Sequence, residues 1–270
     1  MIERLRFYLV VFILGIVTAL LIPLQWLAIK FNLSISRKLP MVWHKIATKL
    51  VGVRIRVTGN IPEKRPMMIV SNHISWMDIP VLGSIMELSF IAKSEVNEMP
   101  GANLLSRLQR TIYVVRDQKR KAGEQAQDIT QRMLDGDAVV LFGEGTTHDG
   151  NRIGTFKSAL LGAAQFALKD EAVESVLIQP VSIAYTKLHG MPMGRYTRAK
   201  AAWYGDMTLG SHAVNIMMQG AWDVEVMFGD PIVFDEHSNR RHVTKEIQAQ
   251  VRHNFLNTLH VRTNEIVKAD

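Results

Sequence analysis

The chain has 270 residues, 47% hydrophobic and 21% charged, a globular balance with room for a full core as one domain plus an appendage. Cysteine is absent, which excludes a disulfide framework, a thiolate metal site and a cysteine nucleophile. A net charge of +7 and a pI near 9.7 call for an anionic partner; with no zinc-finger spacing, RNP-type strand or basic recognition helix, nucleic acid gives way to an anionic membrane surface.

Phe7 to Ile29 is almost wholly apolar, with Arg4 and Arg6 before it and Lys30 after it, and its roughly 23 residues are enough to cross a bilayer. Pro23 and Gln25 interrupt it, so a kinked span and a helix re-entering one leaflet both fit. A cleaved signal peptide is the third reading, and it lacks a clear small-x-small site. The expectation is an anchor or re-entrant segment over residues 1–40, followed by one α/β domain over 41–270. Positive charge is denser after the segment (Lys30, Arg37, Lys38, Lys45, Lys49) than before it, which places that domain on the cytoplasmic side of the inner membrane.

Met41 to Val51 reads either as an amphipathic helix on the lipid surface or as a helix packed on the core. Val53 to Val57 alternates as a half-exposed strand. Further strands are expected at Met67 to Ser71, Phe90 to Lys93, Thr111 to Val115, Ala138 to Phe142, Val176 to Ile183 and Asp223 to Phe228. Helical patterns fall between them at Trp76 to Met86, Gly101 to Leu108, Lys119 to Leu134, Ser158 to Leu168 and Ser211 to Met218. That alternation predicts a mostly parallel central sheet flanked by helices, with ligands bound beyond the carboxyl ends of the strands. Asn239 to Val267 reads as a basic helix facing solvent or membrane.

The stretch Ser71 to Pro80 follows an apolar run and places His73 five positions before Asp78. A histidine takes a proton from a hydroxyl near neutral pH when a carboxylate holds its other ring nitrogen as a donor. On one regular helix the two residues would stand roughly 140° apart, so His73 belongs in the turn before the helix. Ser75-Trp76-Met77-Asp78 reads as a capping box that starts the helix at Ser75. The plainer reading is a capping aspartate and an inert loop histidine. Phe142-Gly143-Glu144-Gly145-Thr146 closes another strand with two glycines around a carboxylate, a turn suited to an anion or oxyanion.

Asn72-His73-x-Ser75-x-x-Asp78 after a strand resembles the first signature block of the glycerolipid (lysophosphatidate-type) acyltransferases. The resemblance spans about residues 40 to 235. It implies that His73, oriented by Asp78, deprotonates a lipid hydroxyl, which attacks the thioester of an acyl carrier protein or coenzyme A directly. Asn72 and Ser75 would belong to the substrate side of the same block. Phe142 to Thr146, joined to Gly154-Thr155-Phe156-Lys157, is similar to the third block, where Glu144, Gly145, Thr146 and Lys157 would shape the acceptor site. Ile112 to Arg116 resembles the second block, which would deliver Arg116 to the acceptor, and Ile178 to Ser182 the fourth. Lys93 matches a lysine common in the family, with a surface lysine as the plainer account.

Two departures bear on the acceptor. Gly143 stands where the family has proline, and Thr147 where it has arginine, followed by His148-Asp149-Gly150-Asn151-Arg152. Threonine cannot make the bidentate bonds an arginine makes to phosphate. With Arg195-Tyr196 and Trp203 to Met207, the variant block is similar to the branch that acylates lyso-ornithine lipid, whose headgroup has no phosphate. Backbone amides near Gly145 or at the start of the Ser75 helix are the candidates for holding the oxyanion. No metal or other cofactor is expected, since a thioester is already activated. Lysophosphatidate as acceptor, thioester hydrolysis, and an inactive membrane-bound scaffold are the alternatives.

Overall fold

The computed structural model describes residues 2–99, 101–114, 122–170 and 173–267. Among them a nine-stranded sheet forms, with strands β1 (Val53–Thr58), β2 (Met67–Ser71), β3 (Leu88–Lys93), β4 (Ile112–Val114), β5 (Ala138–Phe142), β6 (Val176–Leu188), β7 (Met191–Pro192), β8 (Trp222–Phe228) and β9 (Ile232–Phe234). Its main path runs β1-β8-β6-β2-β5-β3-β4, with β7 and β9 both paired to β6. The expected parallel core is present from β6 to β4, and β1 runs parallel to β8. Three pairings of β6, with β7, β8 and β9, are antiparallel.

The central strands owe their place to composition. Met67-Met-Ile-Val-Ser71 and Ala138-Val-Val-Leu-Phe142 are buried along their whole length, as strands covered on both faces must be. Alternate residues supply two cores. Met67 and Ile69 pack with residues of α3 (Asp78–Ile85) and α8 (Leu209–Gln219), while Met68 and Val70 pack with α5 (Ala122–Leu134), α6 (Gly162–Ala167) and α9 (Arg240–Val267). The last helix is therefore a core element in its first half and not a solvated one: Val243, Ile247, Val251 and Phe255, spaced four apart, are buried against the sheet.

The N-terminal segment is one helix, α1 (Ile2–Lys30), continuous through Pro23 and by length and composition able to cross a membrane. The chain turns over residues 31–34 and returns as α2 (Ile35–Val51), which buries Ser36, His44, Ala47, Thr48 and Val51. Of the two readings of this stretch, core packing is the one observed, and α2 lies against α3. The boundary expected at residue 40 falls inside α2. Along its length α1 is tied to the domain. Arg6 donates to the carbonyls of Met217 (2.7 Å) and Val51 (2.6 Å), Thr18 Oγ1 accepts from Trp43 Nε1 (2.9 Å), and Gln25 Nε2 donates to Ser36 O (2.9 Å) and Leu108 O (2.6 Å). Its other face leaves Leu5, Leu9, Phe12, Ile16, Leu20 and Leu24 exposed.

Candidate active site

β2 and β5 are paired with Ser71 opposite Phe142, so the loops that follow leave the sheet side by side, about 5 Å apart. That adjacency joins two segments far apart in sequence: the His73 amide donates to Glu144 Oε1 at 3.0 Å. On the other side of β2, β6 continues past the end of its neighbour, because Ser71 pairs with Val181 and the strand runs on to Leu188. The extension forms a wall beside the His73 loop.

His73 Nδ1 lies 2.8 Å from Asp78 Oδ2. An ionised carboxylate only accepts, so this bond puts the hydrogen on Nδ1 and leaves the lone pair on Nε2 for a substrate hydroxyl. The imidazole stacks on Phe142 with ring centroids 3.8 Å apart, and its side chain stays 16% exposed. Asp78 is fully buried. Its Oδ2 also accepts from the amides of Ile74 (2.7 Å) and Ser75 (2.9 Å), and its Oδ1 accepts from the Tyr185 hydroxyl (2.9 Å). Burial, and after it the charge of Asp78, pushes the Tyr185 phenol well above its ordinary value, so it remains a donor.

Glu144 is 3% exposed and accepts two backbone hydrogen bonds beside an ion-pair contact. Besides His73, Gly154 N donates to Oε2 at 2.8 Å, and His148 Nε2 lies 2.9 Å from the same oxygen. Burial pushes the Glu144 carboxyl up from its usual range, with Asp78 adding to the rise, while the bonds from His73 and Gly154 and the charge of His148 pull it down.

A family model described as Acyltransferase matches residues 54–184. A protein of Rhizobium meliloti named lyso-ornithine lipid O-acyltransferase is 42% identical over 270 residues, covering 100% of this chain and 92% of its own. The chain belongs to the acyltransferase family. A second relative of this acyltransferase, of the same name and from Brucella abortus, is 44% identical over 252 residues, covering 93% of this chain and 94% of its own. The acyltransferase fold is shared with the crystal structure of the 1-acyl-sn-glycerophosphate acyltransferase PlsC from Thermotoga maritima, with a TM-score of 0.56, 20% identity, and 95% and 97% of the two chains covered.

Within this acyltransferase the expected site residues fare differently. His73, Asp78 and Glu144 converge, and Gly145, with φ at +71°, makes the turn after Glu144 that glycine allows. Asn72 does not line the acceptor side: it is buried, and its amide pairs with the backbone of Ile183, donating at 3.0 Å and accepting at 2.8 Å like one more rung of the sheet. Ser75 is likewise buried, and its hydroxyl accepts from Met77 N at 3.3 Å. Lys93, Thr146 and Lys157 are exposed. Arg116 lies outside the described residues.

One local expectation is corrected. The helix starts at Asp78 rather than Ser75. The Asp78 carboxylate reaches back to the Ser75 amide as a capping box requires, but Asp78 N bonds to Ser75 O at 3.0 Å, which leaves Ser75 to Met77 outside the helix. Among the expected oxyanion donors, three amides are already taken: Asp78 Oδ2 accepts from Ile74 and Ser75, and Gly145 N donates to Phe142 O at 3.0 Å. Tyr185 and His148 were not singled out from sequence. His148 had one available signal, its place four residues after Glu144.

Proposed function

We propose that this acyltransferase transfers a fatty acyl group from the thioester of acyl carrier protein or coenzyme A to the free hydroxyl of a lysolipid, with lyso-ornithine lipid as the acceptor. The observation that carries the reading is the 2.8 Å contact of His73 Nδ1 with the buried Asp78, which leaves Nε2 as the base. Nε2 takes the hydroxyl proton as the oxygen attacks the thioester carbonyl. The tetrahedral adduct expels the thiolate, which takes that proton back from His73, so ester and free thiol form in one cycle. Asp78 steadies the imidazolium between the two transfers, and Phe142 fixes the plane of the ring.

The acceptor is supported by the names of the two relatives and by Thr147, which offers no bidentate grip on a phosphate. Support for a membrane-seated enzyme comes from α1. A helix bonded to its own domain at Arg6, Thr18 and Gln25, and apolar on the other face, suits lying within one leaflet better than standing across both. The anionic surface of the inner membrane would meet the basic domain, which would face the cytoplasm where either acyl carrier is supplied.

The test offers purified enzyme a labelled acyl thioester with lyso-ornithine lipid or lysophosphatidate. Acylated ornithine lipid is the expected product. A clear preference for lysophosphatidate overturns the acceptor, and free fatty acid without acylated lipid points to hydrolysis.

A further inference from the structure

The carboxylate expected to meet the acceptor headgroup is already engaged by the protein. Glu144 receives His73 N, Gly154 N and His148 Nε2, and what the pair leaves open is the imidazole of His148, 32% exposed. That ring is held in place from several sides. The main-chain N–H of His148 donates to His73 O at 3.1 Å, which ties the ring to the loop of the base. A Cβ on Gly154 would lie 2.3 Å from His148 Nε2 and 2.9 Å from Glu144 Oε2, so the pair needs glycine there. Beyond the ring the loop is latched to the segment after β7: Asn151 Nδ2 donates to Arg195 O at 3.1 Å, and Arg198 Nη1 donates to Asn151 Oδ1 at 3.0 Å.

We propose that His148, fixed by Glu144, selects the acceptor headgroup, taking one whose anion is a single carboxylate beside an ammonium over one that carries a phosphate. The proposal rests on the lysolipid reading above. With its hydrogen on Nε2 toward Glu144, the ring leaves a lone pair on Nδ1, which accepts an N–H from the headgroup ammonium and offers nothing to a phosphate dianion, which a forked guanidinium grips with two bonds. Charge acts in the same direction. Asp78 and Glu144 lie close enough to act on one another beneath the ring, which repels a dianion more than a zwitterion and favours an ammonium.

The experiment measures kcat and KM for lyso-ornithine lipid, lysophosphatidate and the acyl donor on the full chain and on His148→Ala, His148→Gln and His148→Arg. Losing one charge-assisted hydrogen bond in His148→Ala should raise KM for lyso-ornithine lipid about ten- to hundredfold. Turnover and donor KM should stay within about threefold, the pattern of lost headgroup binding. His148→Gln keeps an N–H for Glu144 and so holds the loop. It should melt like the wild type while losing the same discrimination. In His148→Arg the ratio of kcat/KM for lysophosphatidate to that for lyso-ornithine lipid should rise at least about tenfold. A wild-type preference for lysophosphatidate overturns both this proposal and the acceptor it rests on. A wild-type preference for lyso-ornithine lipid, with the acceptor ratio unmoved in His148→Gln and His148→Arg, overturns the role of His148 alone.

Discussion

At the scale of single residues, the chemistry depends on how completely Asp78 is satisfied. Tyr185 reaches it from 107 positions away, donating to the oxygen that His73 does not use. In Tyr185→Phe that buried oxygen loses the one side-chain donor it has among the described residues, and the carboxylate acts more strongly on the neighbouring imidazole. The acid limb of the kcat profile should move to higher pH and kcat at neutral pH should fall about tenfold with KM unchanged. An unmoved profile would make Tyr185 a packing residue. His73 and Asp78 were legible in the sequence because a base and its orienting carboxylate fit within one turn and the helix that follows it. Tyr185 was not, since an apolar strand with one tyrosine carries no sign of where its hydroxyl points. Asn72 misled for a related reason: an amide beside the base reads as a substrate contact, and only the overrun of β6 past β2 shows that it serves the sheet.

At the scale of elements, α3 is placed by what it packs against. His44 of α2 is buried and meets α3 at Gly83, where a Cβ would fall 1.9 Å from Nδ1. Gly83→Ala should therefore destabilise the fold by about 1–3 kcal/mol, read as a lower melting temperature. Burial, opposed in part by a bond with the Gly83 backbone, lowers the His44 pKa from 6.5 to about 4. Its folded value is depressed, so the unfolded chain binds the extra proton between those two values and stability falls as pH drops from about 6.5 towards 4. The loss amounts to about 3 kcal/mol on 1.36 kcal/mol per pKa unit, and His44→Gln should flatten that part of a melting-temperature profile. An unchanged slope would place the pH dependence elsewhere. Continuous apolar runs made the central strands readable. Direction was not, because nothing in the composition of β6, β8 or β9 distinguishes an antiparallel neighbour from a parallel one. The basic character of the last helix hid its core-facing stripe of four residues spaced four apart.

At the scale of the whole molecule, hydropathy identified an apolar segment but left its orientation open, because spanning and lying flat demand the same residues. Contacts with α2, α4 (Ala102–Leu108) and α8 bear on that orientation. With no cysteine in the chain, Glu3→Cys reports the location of the N-terminus. A helix held in one leaflet leaves this thiol open to an impermeant maleimide from the side that also labels a cysteine placed on the domain, and labelling only from the opposite side would establish a span. Replacing the outward-facing Leu9, Phe12 and Leu20 with serine should release the protein from vesicles at high salt, where charge attraction is screened and apolar burial is not. Retention of binding would show that α1 is not the anchor. Membrane seat, headgroup and loop architecture all serve one imidazole, so the most direct test is acyl transfer by His73→Ala from a labelled thioester to the lysolipid, in protein shown to melt like the wild type. A His73 base predicts a fall in turnover of about two to four orders of magnitude, and turnover near the wild-type rate would contradict it.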